Sequence, residues 1–134
     1  MNLVESGLDA AKLSHLDGKV LVVDDEWINV KVMSKMLENI GIECVIAENG
    51  SQAIDICKHQ DIELVFMDCF MPVMDGYEAT RLLREGGFSS EIIALTAYAV
   101  KENHERCIAV GMDRFLPKPV RILDVQNIIS SINL

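Results

Sequence analysis

Five short apolar runs, each followed by a segment whose apolar residues recur every three or four positions, constrain this chain more than any other feature. The runs are residues 19–23, 42–47, 64–67, 91–95 and 114–116, and the periodic segments are residues 27–40, 51–59, 77–85, 99–110 and 122–132. Largely β-branched runs such as Val20 to Val23 suit strands buried on both faces, while the longer period marks amphipathic helices. In the first helix Val30, Met33, Leu37 and Ile40 share a stripe and Lys31, Ser34, Lys35 and Glu38 face water. The second is expected to bury Ala53, Ile54 and Cys57, and the last carries Ile122, Val125, Ile129 and Ile132 on one stripe. Gly41, Gly86-Gly87 and Gly111 stop helices, and Asn49-Gly50 makes a turn. Strands joined by single helices demand right-handed crossovers, so the expected fold is α/β, a parallel sheet with helices on both faces.

A chain of 134 residues is one domain, able to bury roughly two thirds of its unfolded surface without disulfide or metal staples. Residues 1–18 show no clean period and read as a linker or leader, with a short helix suggested over residues 8–16; the domain proper is residues 19–134. A net charge of −9 argues against a nucleic-acid partner and favours a metal cation. Cys44, Cys57, Cys69 and Cys107 lack metal-ligand spacing and sit mostly in apolar runs, as reduced thiols do in a cytoplasmic protein. No signal pattern or spanning segment is visible, so no direct membrane contact is expected.

Chemistry gathers at the strand ends. The first run ends in Asp24-Asp25-Glu26, the third in Asp68, the fourth in Thr96, and the fifth leads to Lys118 between two prolines; the second ends with nothing comparable. A lone Asp there would cap a surface turn, Glu26 suits the first turn of a helix, and Thr96 alone is a plain strand former. In a parallel sheet, however, all these tips share one edge, where open α/β folds bind ligands. Carboxylates suit Mg²⁺, an ammonium and a hydroxyl suit phosphoryl oxygens, and a neutralised carboxylate can attack phosphorus.

The segments V-L-V-V-D-D-E, M-D-C-F-M-P-V-M-D-G, A-L-T-A and L-P-K-P, in this order over about residues 18–133, resemble the receiver domain of response regulators in two-component phosphorelay signalling. The resemblance implies a flavodoxin-like, doubly wound (βα)5 three-layer sandwich with strand order 2-1-3-4-5. It implies that Asp68 accepts a phosphoryl group from a phosphohistidine, and that Asp25, Asp68 and the Phe70 backbone carbonyl hold Mg²⁺, or Mn²⁺ in its place, with Asp24 acting largely through water. Thr96 and Lys118 would hold the phosphoryl oxygens, and Thr96 and Phe115 would form the conformational switch; the other reading of Phe115 is a plain core aromatic.

Asn29, A-L-T-A-Y-A and G-M-D-R-F-L-P-K-P point to the receiver of a hybrid histidine kinase, whether cytoplasmic or the cytoplasmic part of a membrane-bound sensor. Its partners would be a histidine kinase or a histidine-phosphotransfer protein, and it would be a monomer or weak dimer. A stand-alone single-domain response regulator is the alternative. An Mg²⁺-dependent phosphatase with an Asp nucleophile is remote, because such enzymes carry D-x-D where this chain has Phe70 two residues after Asp68. A binding module that has lost the reaction would be expected to lack an acid, the Thr or the Lys. Phe70 and Tyr98 are bulky where water must reach an acyl phosphate, which predicts slow self-dephosphorylation. Trp27, just past the acidic cluster, reads equally as partly buried in the core or as a partner contact.

Overall fold

The computed structural model describes residues 16–98 and 100–132. Strands β1 (Val20–Val23), β2 (Cys44–Ala47), β3 (Leu64–Asp68), β4 (Glu91–Thr96) and β5 (Arg114–Pro117) alternate with helices α1 (Trp27–Ile40), α2 (Gly50–His59), α3 (Gly76–Glu85), α4 (Lys101–Val110) and α5 (Ile122–Ile132). The sheet is parallel throughout, in the order β2-β1-β3-β4-β5.

Alternation along the three central strands sorts the core into two halves. Val20, Val22, Leu64, Phe66, Ile93 and Leu95 pack with Met33 and Leu37 of α1 and Val125 and Ile129 of α5. Leu21, Val23, Val65, Met67, Ile92 and Ala94 pack with Ala53 of α2, Tyr77 and Leu83 of α3 and Cys107 of α4. Both faces of β1 and β3 are therefore dry, as their unbroken apolar runs require.

Helix ends follow local chemistry. The Asn49 side chain accepts from the Gln52 N–H at 2.8 Å and Asp75 accepts from the Glu78 N–H at 2.9 Å, satisfying donors that have no partner within the helix. Gly41 closes α1 with φ 99°, a conformation costly for a residue with a Cβ.

Three sequence expectations change in detail. Ile54 and Cys57 are only half-buried, packing at the margin of the core rather than inside it. Trp27 is 70% exposed, because it begins α1 on the side away from the Met33–Leu37 stripe; partial core burial is excluded. Leu16 is fully buried, and the Asp17 carboxylate accepts from the Glu43 N–H at 2.6 Å, so residues 16–18 pack against the domain. The suggested helix over residues 8–16 lies outside the described residues except for Leu16. Burial pushes the Cys69 thiol to about 12 and the Cys57 thiol to about 11, which leaves both as small hydrophobes. No helix among the described residues is long and apolar enough to cross a membrane.

Candidate functional site

Register brings the strand tips level. Val23 lies beside Met67, so Asp24 follows next to Asp68; Asp68 lies beside Leu95, and Thr96 beside Pro117. Asp24, Asp68 and Thr96 are buried, Asp25 is exposed, and Lys118 reaches in from a half-buried position. One carboxylate oxygen from each of Asp24, Asp25 and Asp68 lies within 4.8 Å of the others. The Lys118 ammonium spans the pair below, 3.0 Å from Asp68 Oδ1 and 3.3 Å from Asp24 Oδ2.

Each group is positioned by backbone around it. Asp24 Oδ1 accepts from the Glu26 N–H at 3.0 Å, Asp68 Oδ1 accepts weakly from the Phe70 N–H at 3.4 Å, and the Lys118 N–H donates to the Thr96 carbonyl at 2.8 Å. Asp68 Oδ2 accepts no hydrogen bond among the described residues. The loop after β3 folds back tightly: the Gly76 N–H donates to the Cys69 carbonyl at 3.0 Å, and a Cβ at Gly76 would collide with the Asp68 carbonyl oxygen. Only glycine allows that approach, which accounts for the Asp75-Gly76 pair.

The electrostatics are unbalanced. Burial first, and the Asp24 charge second, push Asp68 from the ordinary 3.8 to about 6, while Lys118 and the Phe70 N–H pull only part of the way back. For Lys118 burial opposes the charge, but Asp68 and Asp24 outweigh it and the ammonium is held more firmly than usual. Three carboxylates against one ammonium leave room for a hard divalent cation, and oxygen donors of this kind fit Mg²⁺.

The Thr96 Oγ1 accepts from the Tyr98 N–H at 3.0 Å, within its own loop. Phe70, 43% exposed, meets Tyr77 and Tyr98 edge-on at 5.7 and 5.5 Å, so aromatic rings border the site. Phe115 is half-buried and stacks on His104 of α4. Sequence reading missed His104, since an exposed His on a helix carries no periodic signal. It also missed the apolar strip of Trp27, Ile28 and Val32, although the stripe of Val30, Met33, Leu37 and Ile40 already turned those positions away from the core.

Residues 20–130 match the family described as the response regulator receiver domain. The chain is 37% identical over 129 residues to hybrid signal transduction histidine kinase B of Dictyostelium discoideum, covering 87% of this chain and 7% of that protein. It thus spans under a tenth of that relative's length. It is 34% identical over 133 residues to two-component response regulator 24 of Arabidopsis thaliana, covering 98% of this chain and 88% of that one. Among solved structures, the receiver domain of sensor histidine kinase PA1611 from Pseudomonas aeruginosa PAO1, with a magnesium ion coordinated in its active site cleft, superposes with a TM-score of 0.79 at 35% identity, covering 87% of this chain and 98% of that one. The receiver domain of the Saccharomyces cerevisiae response regulator Ssk1, co-crystallised with the histidine phosphotransfer signaling protein Ypd1, belongs to a match with a TM-score of 0.80 at 28% identity, covering 87% and 89%.

Proposed function

Because this chain belongs to the response regulator receiver domain family, we propose that its strand-tip cluster is a phosphoacceptor site in which Asp68 takes a phosphoryl group from a partner's phosphohistidine. The observation that carries this reading is the convergence of Asp24, Asp25 and Asp68, with Lys118 bridging two of them. Asp24, Asp25, Asp68 and the Phe70 carbonyl would hold Mg²⁺. When bound, the cation supplies positive charge that relieves carboxylate repulsion and stabilises the transferring group.

Asp68 Oδ2, which no described residue engages, is the oxygen free to attack. It forms the O–P bond as the P–N bond of the phosphohistidine breaks, and the electron pair leaves on the imidazole. The product is an aspartyl phosphate, a mixed anhydride. Lys118 is then freed from the neutralised Asp68 oxygen to pair with the phosphoryl group. Thr96, released from the Tyr98 N–H, would donate to a second phosphoryl oxygen, and Phe115 would pack inward behind it. This is a bistable packing biased by a few charge-assisted hydrogen bonds.

The partner is read as a histidine-phosphotransfer protein. Trp27, Ile28 and Val32 leave an apolar strip on α1 directly after Asp25, where a docking surface would bring a phosphohistidine to the cluster. Hybrid-kinase relatives and the Ypd1-bound neighbour support placing the chain in a phosphorelay. The similarity to two-component response regulator 24 supports the second reading, a response regulator with the same chemistry.

Intact mass after incubation with a small phosphoryl donor and Mg²⁺ tests the reading. One added phosphoryl group, absent in Asp68→Asn and after chelation, is expected; an adduct that persists in Asp68→Asn would overturn the assignment.

A further inference from the structure

Among the described helices α4 has the fewest buried positions. α3 buries Tyr77, Ala79, Thr80 and Leu83 and is capped by Asp75, whereas α4 buries Cys107 alone and starts at Val100 with no side-chain cap. Two of its own side chains meet aromatic rings on its neighbours. The Arg106 guanidinium lies 4.0 Å over the Tyr77 ring, toward α3. His104 lies on the Phe115 ring, toward β5, with centroids 4.8 Å apart and planes 20° from parallel.

The second tie meets a ring that has somewhere else to go. In the β4–β5 register Phe115 lies beside Ala94 and Pro117 beside Thr96, so Phe115 and Thr96 stand on the same face of the sheet. Ala94 is a small neighbour, and Phe115 already contacts the core on that side while its outer face carries the imidazole. The stack exists only while the ring is outward. A contact made in one of two states favours that state by its whole free energy.

Resting on the reading of Thr96 and Phe115 as the moving pair, we propose that His104 is a positioning residue: its imidazole holds Phe115 outward in the unphosphorylated protein and ties α4 to that position. When Phe115 turns inward, α4 loses this side-chain tie to β5. Removing the imidazole raises the resting inward fraction by about three- to tenfold, the range for one aromatic pair.

The four phenylalanines allow ¹⁹F NMR with fluorophenylalanine, with Phe115 assigned through Phe115→Leu. The readout is the fraction of the Phe115 signal of the unphosphorylated protein found at the chemical shift that phosphorylation of the wild type gives it. His104→Ala is expected to raise that fraction about three- to tenfold, His104→Tyr to restore it, and uptake from a small phosphoryl donor to quicken in His104→Ala alone. An unchanged fraction in His104→Ala would mean that the ring stayed outward and merely lost its cover, and the proposal would fall. It would equally fall if His104→Tyr behaved like His104→Ala. The wider switch reading has its own test, because phosphorylation of the wild type must itself move the Phe115 resonance, whatever the variants do. His104 is exposed, so the variants are expected to fold, and their thermal midpoints would be compared.

Discussion

The two edges of the sheet each hold a cation among oxygen acceptors, and they differ in whether the books close. At the N-terminal edge Arg84 Nε donates to the Gly111 carbonyl at 2.9 Å, Nη1 to the Phe88 and Ser90 carbonyls at 2.8 Å, and Nη2 to Asp113 Oδ2 at 2.9 Å. Asp113 Oδ2 also accepts from the Ile92 N–H at 2.8 Å, so one guanidinium and one carboxylate join α3, α4 and the starts of β4 and β5. At the C-terminal edge Lys118 pairs with Asp24 and Asp68 while the nearby Asp25 has no cation among the described residues, and the loop beside them keeps Val73 at φ 70°, strained for a β-branched residue. A saturated network stabilises the fold, whereas an unbalanced one costs stability and is relieved by what binds there.

The sharpest way to break this contrast is to remove a member from each edge. Arg84→Ala is expected to lower stability by about 2–4 kcal/mol, because it removes the donors of the Gly111, Phe88 and Ser90 carbonyls at once. The urea midpoint would fall, while phosphoryl uptake by the folded fraction would stay unchanged; lost uptake in folded protein would mean that the two edges are coupled. Asp68→Asn should act in the opposite direction, raising the stability of metal-free protein at pH 7 by about 1–3 kcal/mol.

The same comparison sets a pH dependence. Asp68 has its folded value raised to about 6 from 3.8, so its contribution is complete below about pH 4 and is lost as pH rises through 6. Metal-free wild type should therefore lose stability over that window relative to Asp68→Asn. Millimolar Mg²⁺ should restore it near pH 7 in the wild type only, by about 1 kcal/mol for each fivefold excess over the dissociation constant. Denaturant titrations at pH 4, 5, 6 and 7 would check this, and identical profiles for the two proteins would remove the idea of an uncompensated site.

Smaller effects belong to the rim. Replacing Phe70 and Tyr98 together by small polar residues should shorten the phosphorylated lifetime about tenfold, because the edge-on ring pair shields one approach for water. An unchanged decay of the phosphorylated mass would dismiss that role. Trp27→Ala should change stability by less than about 0.5 kcal/mol, as for most exposed side chains, yet slow transfer from a histidine-phosphotransfer protein while leaving uptake from a small donor intact.

Much of the fold was legible because period and punctuation are local. β1, α1 and α5 fall within a residue of expectation, and α2 and α3 begin one residue early at Gly50 and Gly76, where the preceding Asn49 and Asp75 cap them. Strand order was not legible from alternation, since pairing joins β1 to β3 across more than forty residues; it came only with the resemblance. The site residues were visible as chemistry out of place, acids and a lysine ending apolar strands. Their pairing was not, because nothing local to Lys118 tells that it reaches both Asp24 and Asp68.

By itself, then, the sequence determined the alternation of strands and helices, the burial of the central strands and which residues end at the reactive edge, all of which depend on neighbours a few positions away. Tertiary structure alone decided that Asp24 and Asp68 share one ammonium beside Asp25, that Thr96 is engaged by its own loop, and that Phe115 rests against His104. Those facts depend on distances between residues far apart in the chain, and free energies of charge and stacking change steeply with such distances.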